Sequence, residues 1–209
     1  MNQIMDMHLK VVLLAVMMIF NITGCGPDMS PATSSPSYIH YPSEKNPDVH
    51  LEFDYPGMWV FFESGAPGTE IIIISLKDQR FQALSTPGLY DLHPIPNDYG
   101  GIDIWISPSM SGQTPDTELE SLKSGYRKTS WITILETYKT MIDGYEASVL
   151  EYRISPTEGG SPSVMFNRRI FFIVDNQLYK IYFRVAEKDR GGEFEQGYEY
   201  FFNSIKIIP

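Results

Sequence analysis

The chain has 209 residues, with 43% hydrophobic, 13% aromatic and 20% charged side chains and a formal net charge of −10. That balance fits one folded domain with short extra segments and excludes a disordered chain. Its acidity argues against nucleic acid or an anionic lipid surface as the main partner, and a lone cysteine cannot form an internal disulfide.

The N-terminus opens with Lys10 and the terminal amine as a weak positive region, followed by an apolar run from Val11 to Phe20. Ten residues are about half of what a helix needs to cross a bilayer, but they suit the hydrophobic region of a secretory signal. The run leads into "NITGCG". Ile22-Thr23-Gly24-Cys25 resembles the bacterial lipobox: an aliphatic residue, a small or polar one, Gly or Ala, then cysteine. The resemblance implies thioether attachment of a diacylglyceryl group at Cys25, cleavage before it, and in some members acylation of the new amine. The plainer alternative is a cleaved secretory signal with an incidental cysteine. Two or three acyl chains anchor stably where one is marginal. Gly26 follows in place of the aspartate that, in many two-membrane bacteria, retains lipoproteins at the inner membrane.

The expected layout is a signal peptide over 1–24, a lipidated Cys25 with a Pro/Ser-rich tether over 25–47, and a globular domain over 48–209. The expected location is extracytoplasmic, held to the cell membrane or outer membrane. The stretch from Gly26 to about Pro47 lacks apolar periodicity and reads as flexible. Tyr38, Ile39 and Tyr41 are its residues able to dock if it instead packs as an ordered arm.

From His50 the pattern alternates. "HLEFDY" places Leu51, Phe53 and Tyr55 on one face, and Pro56-Gly57 marks a turn. "MWVFFES", "TEIIIIS" and "GGIDIWIS" read as strands, with Ile71 to Ile74 suited to a strand covered on both sides. "TPDTELESLKSGY" switches to helical spacing, with Leu119, Leu122 and Tyr126 in a stripe and Thr117 and Glu120 in capping-box positions. Two hairpins follow, turning at Asp143-Gly144 and Asp175-Asn176. In the last strand Tyr179, Ile181, Phe183 and Val185 alternate with Lys180, Tyr182 and Arg184. Phe194, Tyr198, Phe201, Phe202 and Ile205 then mark a terminal helix running into a short strand. The fold expected is α+β, an antiparallel sheet with helices laid on it.

The order of these elements resembles the PsbP-like family and its Mog-type relatives. The residues carrying the resemblance are "LEFDYPGMW", "TELESLKSGY", the hairpin residues Gly144, Tyr145 and Ala147, "LYKIYF" and "FFNSIKI", over about Val49 to Pro209. It implies an α/β/α sandwich on a central antiparallel sheet. Bacterial members are often lipoproteins with binding or assembly roles and no known catalysis. Photosynthetic members attach to photosystem complexes, a role the motifs here do not carry over.

Motifs for phosphate loops, zinc hydrolases, redox dithiols and serine nucleophiles are absent from the sequence, so no catalytic residue and no cofactor is expected. The remaining candidate is "STPGLYDLHPIPNDYGG", where Asp91, His93 and Asp98 could hold an ion or meet a partner. The plainer reading is a solvated loop, although Lys77 to Tyr99 is long for a connection unless a strand near Phe81 to Leu84 shortens it. Glu146 and Glu151 should fall on opposite faces of their strand, while Glu151 and Arg153 share a face and suit a surface ion pair. Lys123, Arg127 and Lys128 form a small basic cluster, suited to solvent or to an anion. The function expected is a non-enzymatic envelope lipoprotein, with the bilayer as one partner through acylated Cys25 and another envelope protein as the second. Alternatives are a small-ligand-binding lipoprotein and an enzyme of unrecognised type.

Overall fold

A computed structural model describes residues 37–41, 49–64, 70–74, 100–156 and 163–208. The signal region, Cys25, most of the expected tether, and the Lys77–Tyr99 loop with Asp91, His93 and Asp98 lie outside the described residues.

Ten strands and two α-helices are described. β1 (Tyr38–Tyr41), β2 (Leu51–Pro56) and β10 (Lys206–Ile207) form a small sheet in the order β1-β2-β10. The main sheet has seven strands: β3 (Val60–Ser64), β4 (Glu70–Ile74), β5 (Gly101–Pro108), β6 (Ile132–Ile142), β7 (Tyr145–Ile154), β8 (Met165–Val174) and β9 (Gln177–Ala186). Their order is β3-β4-β5-β9-β8-β7-β6, and each pairing is antiparallel. β1 corrects the tether reading over four of its residues, because Tyr38 to Tyr41 pair with Pro56 to Phe53 of β2. Tyr41 lies over Phe53 with ring centroids 4.8 Å apart, so the burial of an aromatic pair holds this arm to the domain.

Period-two alternation divides the main sheet into two faces. One carries Ile102, Ile104, Ala147, Val149, Ile170, Phe172, Ile181 and Phe183, all in the large core. Helix α2 (Glu193–Ser204) packs there: Tyr198 stacks on Phe183 at 4.0 Å, and Phe201 meets Phe53 of the small sheet at 5.1 Å. Gly197 gives this helix its close approach, since a Cβ there would stand 2.7 Å from the Trp59 indole. The opposite face carries helix α1 (Pro115–Tyr126), whose Leu119, Leu122 and Tyr126 pack with Leu150, Tyr152 and Phe171. The helical stripe is therefore as expected, but the cap lies one turn earlier. Thr114 is the N-cap and Thr117 its partner, with Thr117 N donating to Thr114 Oγ1 at 3.1 Å and Thr114 N to Thr117 Oγ1 at 2.9 Å. Pro115 accounts for the shift, because its fixed φ and missing N–H suit the first helical position.

Both hairpins turn where the sequence places them. Asp143 and Gly144 take φ of 45° and 91°, and Asp175 and Asn176 take 46° and 63°, the positive values a two-residue turn requires. Asp143 also joins the two sheets, its Oδ2 accepting from Ile207 N of β10 at 2.8 Å. That backbone hydrogen bond holds the Asp143 carboxyl below its usual range, with Lys206 adding to it. An ionised Asp143 thus stabilises the fold above its unfolded-state value, and the contribution is lost as pH falls through the lower folded value. Asp143→Asn, which tolerates the positive φ, is expected to flatten this acid limb while leaving the circular dichroism spectrum unchanged. Thermal melts of both proteins from neutral to strongly acid pH check it.

Candidate functional site: a guanidinium–tyrosine row beside helix α1

α1 packs against β6, β7 and β8. Beyond it, the same face of β8, β9 and β5 carries a polar row instead of an apolar one. Register sets the row: Arg169 of β8 stands opposite Tyr182 of β9, and Tyr182 opposite Asp103 of β5. Asn167 and Arg184 are partners one step further along.

The contacts are continuous. Arg169 lies over the Tyr182 ring at 4.0 Å and donates Nε–H to the Tyr152 hydroxyl at 3.4 Å. Tyr126 of α1 donates to that hydroxyl at 3.0 Å. Tyr182 Oη donates to Asn167 Oδ1 at 2.7 Å, and Arg184, 4.8 Å from the same ring, pairs with Asp103 Oδ2 at 2.6 Å. Burial pushes the Tyr152 phenol well above its usual range, so it remains a neutral hydroxyl. Burial opposes the charge on Arg169, but the surrounding Tyr152, Tyr126 and Tyr182 outweigh it and the guanidinium stays cationic.

A cleft of about 280 Å³ opens at Arg169, with Leu122, Tyr126 and Phe171 among its walls. Lys180 and Glu118 flank it and pair at 3.1 Å. Burial raises the Glu118 carboxyl, but hydrogen bonds from Gln113 and Lys180 prevail and hold it below the usual range. The lining therefore carries two cations and one carboxylate. Trp105 stands next to Lys180 across β5 and β9 and is 46% exposed.

Among the described residues no group of three or more His, Cys, Asp or Glu could hold a metal ion. Of the basic cluster, Lys123 pairs with Glu120, whereas Arg127 and Lys128 are exposed just past the C-terminal end of α1, where positive charge is favourable. Glu146 and Glu151 do lie on opposite faces: Glu146 meets Lys139 beside α1, and Glu151 sits on the α2 side. The expected Glu151–Arg153 pair is corrected. Glu151 is taken by Arg168, its direct neighbour across β7 and β8, at 2.8 Å, and Arg153 reaches Glu187 at 2.6 Å. A partner directly across the ladder is nearer than one two residues along the same strand. Arg168 also binds Glu199 of α2 at 2.9 Å, so this network fastens the helix to the sheet.

No protein-family model and no curated protein matches the chain. Its structure is similar to the solution structure of the cyanobacterial PsbP (CyanoP) from Synechocystis sp. PCC 6803. The two share 16% identity with a TM-score of 0.52, over 90% of this chain and 99% of that one. The fold is PsbP-like. It is also similar to LpqN of Mycobacterium tuberculosis, described as involved in cell envelope biogenesis, at 12% identity and a TM-score of 0.52, over 85% and 88% of the two chains. The PsbP-like fold accounts for the central antiparallel sheet and the helices laid on it.

Proposed function

We propose that this chain is a lipid-anchored envelope protein whose domain acts by binding another envelope protein and not by catalysis. The observation that carries the anchor is Ile22-Thr23-Gly24-Cys25 directly after a ten-residue apolar run. In this reading Cys25 becomes the acylated first residue of the mature chain, and the residues between it and β1 set the domain off from the bilayer. The described region contains no helix long and apolar enough to span a membrane, so the N-terminal lipid is the attachment invoked. A fold shared with an envelope-biogenesis protein supports an extracytoplasmic setting.

A binding role is supported by how the acids are used. Both buried carboxylates among the described residues, Asp103 and Glu151, are held by arginines, which ties them to structure and keeps them from acting as proton carriers. Meanwhile Trp105 projects from the sheet beyond the strands that α1 packs on. An amphipathic aromatic residue so placed is the kind that anchors an interface. A photo-crosslinking side chain at Trp105, in native membranes, is expected to capture one discrete envelope protein, and the same probe at exposed Asp189 is not. Equal capture from both positions, or none from Trp105, contradicts the binding surface.

A further inference from the structure

Arg169 differs from the other arginines of the main sheet. Arg153, Arg168 and Arg184 each meet a carboxylate within 3 Å. Arg169 meets none among the described residues, although the chain has 26 acidic side chains to 16 Lys and Arg. Its Nε–H bond goes to a phenol and its guanidinium carbon sits 4.0 Å from the Tyr182 ring centroid, its terminal nitrogens have no acceptor among the described residues, and the residue lines the cleft. A part-buried guanidinium of this kind is preorganised: stacking on Tyr182 and the Nε–H bond hold the fork while leaving its donors unused.

We propose that this cleft is a carboxylate-binding site, with Arg169 as the fork that receives the ligand. The charge of the lining selects a monoanion. Arg169 and Lys180 against Glu118 leave one positive charge, and the Glu118 carboxylate repels a dianion such as a phosphate monoester. Planar bidentate geometry favours a carboxylate at a guanidinium over a point anion. Leu122, Tyr126 and Phe171 offer the ligand an apolar wall, and 280 Å³ has room for a body of at least one ring, since a cavity of about 150 Å³ already holds benzene. A free carboxylic acid and the acidic side chain of a docked protein share this chemistry. The site does not depend on the anchor at Cys25, so either can fail without the other.

The test uses the full chain, followed by the Arg169 Nε–H and tyrosine ring resonances in NMR titrations. The probes are benzoate, its neutral counterpart benzamide, phenyl phosphate, and the peptide acetyl-Phe-Glu-amide. Benzoate or the peptide is expected to saturate the Arg169 signal at millimolar concentration, with benzamide and phenyl phosphate at least about tenfold weaker, equal to about 1.4 kcal/mol. The tighter of the two carboxylates assigns the source: the peptide a protein side chain, benzoate a free acid. Arg169→Lys is expected to weaken the preferred carboxylate about tenfold, and Glu118→Gln to tighten it. Arg169→Gln is expected to abolish binding, and Arg169→Lys carries the comparison if the glutamine variant does not fold. Saturation by neither carboxylate overturns the proposal, as does equal binding of benzamide, or binding unchanged in a folded Arg169 variant.

Discussion

Phe183→Ala is expected to lower stability by about 4 kcal/mol and the melting temperature by roughly 10 °C. Phe183 has no exposed surface and lies where the sheet and α2 meet. Its ring faces Tyr198 at 4.0 Å, Phe194 at 5.7 Å and Phe166 at 6.2 Å. Truncating it to alanine forfeits the transfer free energy of a phenyl group and leaves a cavity lined by three rings. Two of those rings are fixed on a helix that Gly197 has already brought against Trp59, so α2 cannot simply settle inward to fill the space. Phe183→Leu conserves more volume and is expected to cost about 1 kcal/mol. Thermal unfolding of the three proteins checks this. An alanine variant melting within about 3 °C of the parent contradicts a core centred on that stack.

The parts of the fold governed by local chemistry were legible from the residues. The hairpin turns follow from Asp-Gly and Asp-Asn at positions that need positive φ, and the α1 stripe follows from Leu119, Leu122 and Tyr126 at helical spacing. The cap was displaced by one turn because Thr114 and Thr117 offer a reciprocal hydroxyl pair that spacing to Glu120 did not reveal. β1 reads as tether in the sequence because the five residues between Pro36 and Pro42 carry little pattern. It is β2, 14 residues away for His40 and Asp54, that supplies its hydrogen-bonding partner.

The candidate site was half visible. The alternation through β9 already put Lys180, Tyr182 and Arg184 on one face, but that is also what any half-solvated strand shows. What makes them a site is lateral: Arg169 and Asp103 flank Tyr182, and no spacing within one strand reports the register between three. The same reason explains Glu151, whose cross-strand arginine was invisible while Arg153, two residues along, was in view. Asp91, His93 and Asp98 stand out in the sequence through residue type and the length of the Lys77–Tyr99 loop, and they lie outside the described residues. The sequence also carries a signal for Arg169. Arg168 and Arg169 are adjacent on a strand, so one must face each side of a sheet whose two faces both bury aromatic residues.

Replacing Cys25 is expected to have an all-or-none effect on anchoring. Loss of the thiol removes the only sulfur nucleophile in the chain able to carry the diacylglyceryl group. Cys25→Ala is therefore expected to abolish lipid attachment and cleavage before residue 25 together. The most direct measurement is the intact mass of the mature protein from its native membranes, with the Cys25→Ala chain beside it. Residues 25–209 plus two or three acyl chains are expected in the parent, and no acylated species in the variant. A parent chain that begins at any other residue without lipid would contradict anchoring at Cys25.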